Sequence, residues 1–247
     1  MAKTLLIVGA HADDCEIGAG GIMLQAIKAG IRVVTVVVVS DFTTWAATKD
    51  RAASTKEHFD SIARKYGYEK RWLDYPYHVI DGGDLDLKQR LARIYNEIRP
   101  ETCFVHHDED HFPDHVSCGH AAKAACLFSH GLSGDLNAPR IERVMSYAIT
   151  PWQTYHFAAD VYYDITSEMA DYMNLLNELD SAYLRIDMKD VITHEVADLR
   201  DPTRNLRLGS HSFTKYAECV QHGNRAGSLY ANGFKHLWGP RWGERSW

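Results

Sequence analysis

The chain has 247 residues, 45% hydrophobic and 11% aromatic, enough to bury a large core, which excludes intrinsic disorder. Single cores stop growing only near ~250–300 residues, so the length suits one α/β domain over 1–247 rather than two full domains. The formal net charge of −6 excludes a phosphate-neutralising nucleic-acid surface, which needs clustered Lys and Arg.

Thr4 to Gly9 is a continuous apolar run that stops at small residues and predicts a strand. Ile17 to Ala29 follows with helical spacing and ends at Gly30 as a C-cap. The opening MAKTLLIVGAHADD meets two carboxylates too early for a signal h-region or a membrane span. Ile31 to Val39 is β-branched, also too short to cross a bilayer, and predicts a strand buried on both faces. A polar loop, Ser40 to Lys49, leads to a helix over Arg51 to Tyr66 that ends at Gly67. A short strand near Arg71 to Asp74, a helix from Leu87 to Ile98 and a strand Thr102 to His106 continue the alternation. Beyond these come a helix from Asp114 to Phe128 and a Gly/Asn/Pro loop from Gly131 to Pro139. Strands at Arg143 to Thr150 and Phe157 to Asp164 and a final helical region from Thr166 complete the reading. Alternating strands and helices imply a Rossmann-like α/β fold, a parallel sheet with helices on both faces, here with a C-terminal elaboration. The five cysteines are odd in number and form no CxxC pair, and with no secretory leader in view they fit a reducing cytoplasm. The tail Trp238 to Trp247 is too aromatic for a free end and is expected to dock on protein.

In such sheets ligands bind beyond the carboxyl ends of the strands, and three loops there are chemically loaded. The first places His11, Asp13 and Asp14 within four residues. A dinucleotide site would need G-x-G-x-x-G and must not aim carboxylates at a pyrophosphate, whereas Gly18, Gly20 and Gly21 lack that spacing. Asp41, after the second strand, resembles the ribose-binding acid of such folds and keeps a nucleotide-binding alternative open. An imidazole with carboxylates suits a divalent cation, and a catalytic zinc takes three protein ligands and keeps an open position. A further ligand must then come from the loop after the fourth strand. There His106, His107, Asp108, Glu109, Asp110, His111, Asp114 and His115 crowd ten positions, and Pro113 suits the first turn of the next helix. His78, His130, His156, His194, His211, His222 and His236 lack such company and read as structural. Cys15 and Cys118 read as buried spectators.

GAHADDCEIGAGG, from Gly9 to Gly21, and Pro113-Asp114-His115 resemble the motifs of the LmbE-like, or PIG-L, family of zinc-dependent N-acetylglucosaminyl deacetylases. Arg51 opening a helix, DVYYDIT from Asp160 and GSLYANGF from Gly227 extend the likeness over most of the chain. The resemblance implies His11, Asp14 and His115 as ligands to one Zn2+ per chain and Asp13 as general base. It implies His111 as the histidine that polarises or protonates the reacting amide, with Asp114 beside it as an orienting acid. Arg51, together with Asp41, would bind a polar group of a small N-acylated sugar. It also implies a homo-oligomer; from the net charge and the short apolar runs, no nucleic-acid or membrane partner is expected. The chain departs from the family pattern in three places. His111 and Asp114 are separated by one residue more than usual, which opens Asp110 or His107 to share the role; Leu179-Asp180-Ser181-Ala182 replaces H-x-S-Q; Asn232 and Gly233 replace an acidic-small pair. Trp45, Trp72, Tyr75, Tyr77 and Trp152 offer stacking faces for a sugar ring or simply fill core. Two other readings stand beside sugar deacetylation: an amidase on a non-sugar amide or thiol conjugate, and a metal-containing carbohydrate-binding protein without turnover. Asp13 argues against the second, because binding alone needs no base.

Overall fold

β1 (Thr4–Gly9) is buried at every position, as an unbroken apolar run requires of a strand covered on both faces. It belongs to the main sheet of a computed structural model that describes residues 3–138 and 141–239. α1 (Asp14–Lys28) crosses to β2 (Arg32–Val39), and α2 (Ala52–Tyr66), entered through a 3-10 turn at Lys49–Arg51, crosses to β3 (Glu69–Tyr75). α3 (Leu85–Ile98), β4 (Thr102–His106), α4 (Pro113–Ser133) and β5 (Arg143–Tyr147) complete a parallel half in which β1 pairs with β2 on one side and β4 on the other. That reversal of strand order opens a crevice at the carboxyl ends of β1 and β4.

After β5 the chain forms β6 (Val161–Asp164), α5 (Met169–Leu184), a short α6 (Met188–Val191), a separate two-stranded ribbon of β7 (His194–Ala197) and β8 (Asn205–Leu208), α7 (Ser210–Ala226) and β9 (Ala231–Trp238). The sheet order is β3-β2-β1-β4-β5-β9-β6, with β9 antiparallel to both neighbours. The α/β class is as expected, but the sheet is mixed rather than wholly parallel. α4 continues past Phe128, where the backbone kinks, and stops at Gly134 in the left-handed region. The expected tail lies mostly outside the described residues, which end at Gly239, as do Pro139 and Arg140 of the Gly/Asn/Pro loop. Among the described residues no helix is long and apolar enough to cross a membrane.

α1 is buried on nearly every face, and its glycines serve contact rather than nucleotide binding. Tyr147 lies over Gly18, Tyr172 over Gly20, and Asn232 over Gly21. A methyl on Gly18 would overlap the Tyr147 ring, which cannot swing away because its hydroxyl donates to Val8 O at 2.8 Å and its ring packs on His106. Gly18→Ala is therefore expected to lower the unfolding free energy by about 3 kcal/mol, the upper end of typical overpacking, read from urea denaturation.

Candidate active site

β1 ends at Gly9 and α1 begins at Asp14, so one tight turn carries His11, Asp13 and Asp14. β4 ends at His106, and Pro113 starts α4, which puts Asp114 and His115 on its first turn. The two turns face each other across the crevice. One donor atom from each of His11, Asp14 and His115 falls within 4.8 Å of the others. His11 Nδ1 is 3.1 Å from His115 Nε2, and Asp14 lies 3.5 Å from each ring.

A carboxylate stands behind each imidazole. His115 Nδ1 is 2.9 Å from Asp110, whose other oxygen accepts from the Thr154 hydroxyl at 2.8 Å. His11 Nε2 is 3.2 Å from Asp114, which also accepts from the His78 backbone N–H at 3.1 Å. His78 holds that contact at a φ of 61°, a conformation that non-glycine residues adopt only under constraint. With their outer nitrogens engaged, the two rings present His11 Nδ1 and His115 Nε2 to the centre, the arrangement that orients metal-binding imidazoles. Asp114 thus supports His11 rather than His111, a correction to the expected pairing, and Asp110 supports His115.

The electrostatics call for a cation at the same point. Burial opposes charge on His11, yet Asp14, Asp114 and Asp13 outweigh it and push its pKa up to about 10. Burial would also raise Asp14, but His115, His106 and His11 hold its carboxyl well below the usual range. Two imidazoles and one buried carboxylate at the first turns of two helices are a donor set that fits zinc or a similar divalent ion. Asp13 is half-buried beside them. Burial and the adjacent Asp14 charge push its carboxyl up to about 6, against the pull of His211 and His11.

These residues line a cavity of about 690 Å³. His11 stacks on Tyr77, Tyr77 on Trp45, and Trp45 packs on Tyr183, forming an aromatic wall that starts at the His11–Asp14–His115 group. Of the five aromatics expected as stacking faces, Trp45 and Tyr77 line the cavity. Trp72 packs on Phe42 and Phe59, Tyr75 bonds Asp86, and Trp152 is largely exposed. Asp13, Asp14, Asp180 and Asp190 line it, and no Lys or Arg among the described residues does.

Four expected site residues are absent from the cavity lining: Asp114, which stands behind His11, and His111, Arg51 and Asp41. His111 is exposed, with Nδ1 3.1 Å from the Tyr155 hydroxyl; the extra residue before Asp114 leaves it on the outer side of the turn. Arg51 donates from Nε and Nη2 to the carbonyls of Ala47 and Tyr183, tying the loop after β2 to the end of α5, while its Nη1 is buried without a hydrogen-bond partner among the described residues. Asp41 accepts from the backbone N–H and hydroxyl of Thr43 within its own turn. Conversely, His78 and His211, read as structural, do line the cavity. Cys15 and Cys118 are buried, and burial raises both thiols well above their ordinary pKa, a poor condition for thiolate ligation.

One further group supports the site from behind. Lys70 Nζ donates to Ala12 O at 2.7 Å, in the middle of the His11–Asp14 turn, and pairs with Glu16 at 2.8 Å with both side chains fully buried. The rings of Phe59, Tyr68 and Trp72 surround the ammonium at 5.4–5.9 Å.

Several solved structures share this fold. GalB, the 4-carboxy-2-hydroxymuconate hydratase of Pseudomonas putida, is 18% identical, with 99% of each chain covered and a TM-score of 0.74. The N,N'-diacetylchitobiose deacetylase of Pyrococcus horikoshii is 19% identical over 96% of this chain and 84% of that one, with a TM-score of 0.72. A conserved protein of Thermus thermophilus is 21% identical over 100% and 99%, with a TM-score of 0.71. At such identities the likeness shows the fold alone, and a hydratase and a deacetylase on one scaffold leave the reaction to be argued from the site. Residues 6–126, from within β1 into α4, match the family described as PIG-L, GlcNAc-PI de-N-acetylase; the stretch contains both converging turns, and it is this part of the chain that carries the PIG-L (LmbE-like) domain match.

Proposed function

We propose that the protein is a zinc-dependent deacetylase that removes an acetyl group from the amide nitrogen of a neutral amino sugar or glycoside. The observation that carries this reading is the convergence of His11, Asp14 and His115, with the Asp13 carboxylate beside them, in the lining of one cavity. A bound divalent ion there would polarise the amide carbonyl and acidify a water. Asp13 accepts the water proton, Asp110 and Asp114 keep the two imidazoles aimed inward, and Trp45 and Tyr77 offer flat faces to a sugar ring. Arg51 and Asp41 take no part in substrate binding in this reading, because neither lines the cavity.

The charge of the lining separates this reading from hydration of a polycarboxylate, the kind of substrate named for the hydratase of the same fold. Such a substrate needs unpaired cationic side chains to receive it, whereas four aspartates and no Lys or Arg line this cavity among the described residues, and its histidines, His11, His78, His115 and His211, each already face a carboxylate. The same carboxylates welcome an ammonium product. A non-sugar amide of neutral charge would satisfy this lining too, so the substrate panel must include both.

Protein purified without added metal is expected to hold about one divalent ion per chain. It should release amine, measured with fluorescamine, from at least one N-acetylated sugar or glycoside. Dialysis against a chelator should abolish the activity, and zinc should restore it. A metal-loaded protein that releases no amine across the panel ends the deacetylase reading.

A further inference from the structure

We infer that His211, held by Asp180, is the proton donor to the departing amine in this chain, the task that the family pattern assigns to His111. The inference rests on the deacetylase reading and concerns which side chain completes it. His111 cannot serve from its position, since it is exposed, bonded to Tyr155 and absent from the cavity lining. His211 lines the same cavity as Asp13.

Its orientation is fixed from two directions. On α7, the backbone N–H of Gly209 donates to Asn177 Oδ1 at 2.9 Å and is 2.7 Å from Ser212 Oγ, while the Ser212 hydroxyl donates to Asn177 Oδ1 at 2.6 Å. This locks the first turn of the helix that carries His211 onto α5. One helical turn beyond Asn177 on the same face of α5, Asp180 Oδ1 lies 2.6 Å from His211 Nδ1. The Nδ1–H therefore donates to Asp180, and Nε2, which has no protein hydrogen bond among the described residues, is the nitrogen left for substrate. A carboxylate on one nitrogen and a free edge on the other is the arrangement of an imidazole that hands over protons.

The surrounding charges keep that imidazole loaded. The groups facing it are Asp180 from α5 and Asp13 and Asp14 from the start of α1. Burial opposes its protonation, but these carboxylates outweigh burial and raise its pKa. Asp13 and His211 line one cavity and take opposite tasks, one to accept a proton and the other to give one. As water adds to the amide carbon, the C–O bond forms and one water proton passes to Asp13. The C–N bond then breaks, and nitrogen leaves with the bonding pair and the His211 proton. The carboxylate product and the amine depart, and solvent resets both side chains.

The test uses the metal-loaded full chain and two acetyl donors. One is the N-acetylated sugar found active in the panel, whose amine must be protonated to leave; the other is p-nitrophenyl acetate, whose phenolate leaves unaided. His211→Gln is expected to lower kcat on the amide ~10²–10⁴-fold, the usual worth of a general acid, with metal content, Tm and metal-dependent ester hydrolysis unchanged. Asp180→Asn should give a smaller loss on the amide and move the alkaline limb of its pH profile to lower pH. His111→Gln should leave amide turnover as it is. Undiminished amide hydrolysis by His211→Gln, an equal loss on both donors, or a large amide-specific loss in His111→Gln would each overturn the assignment while leaving the deacetylase reading intact. A wild-type protein silent on every amide takes both down.

Discussion

Asp13→Asn is expected to reduce amide turnover ~10²–10⁴-fold while the protein still binds about one metal ion per chain. The asparagine keeps the size of the side chain at the start of α1 but cannot accept a proton from water. Asp14, His11 and His115, whose donor atoms define the cluster, are untouched by the change. His115→Ala should behave differently. It removes a donor atom and also leaves the Asp110 carboxylate without the ring it supports, so metal and activity should disappear together. Metal analysis beside turnover separates the two roles. If Asp13→Asn keeps its rate, the base lies elsewhere; if it loses its metal, Asp13 belongs to the ligand set.

Lys70→Met should destabilise the protein by ~3–5 kcal/mol, because it strands the Glu16 carboxylate in a water-free interior. Both members of this pair are fully buried, and the ammonium also holds the Ala12 carbonyl. Replacing Glu16 by Leu in the same protein removes the stranded charge and should recover much of the loss, since two apolar groups need no partner. Urea midpoints of the single and double variants measure this directly. Because Ala12 sits between His11 and Asp13, the refolded double variant should also bind metal more weakly than wild type. A single variant as stable as wild type would show that the pair contributes nothing.

The parallel half was legible for a physical reason. β1, β2 and β4 are covered on both faces, so their apolar runs have no polar interruptions and their ends coincide with the loaded loops. α1 was read as starting at Ile17 because Asp14, Cys15 and Glu16 look like loop; the helix takes them in, and Lys70 neutralises the one that is deepest. A lysine in a strand reads as solvated, and nothing local signals that three aromatic rings will enclose it. The second half was harder. β7 is largely exposed and β6 and β8 are only four residues long, too short for a period to emerge. β9 mixes apolar positions with Asn232, Gly233, Lys235 and His236, and its neighbours lie far back in the chain. His11 and Asp14 announced themselves by proximity in sequence. His211 did not, because its partner Asp180 lies 31 residues away and the two meet only through the packing of α5 against α7. The extra residue after His111 was the available hint, and the structure shows its effect: the ring turns outward.

The position of β9 has a consequence for how the molecule is made. A nascent chain that has emerged as far as Tyr147 already contains β1 to β5 and all three residues of the metal cluster. β6 cannot join that sheet, because among the described residues its one sheet partner is β9, which also bridges it to β5. Translation must therefore run to Trp238 before the second half closes, and His211 reaches its place only in that final stage. The ribosome thus releases the ligand-bearing turns early and the proposed proton donor late.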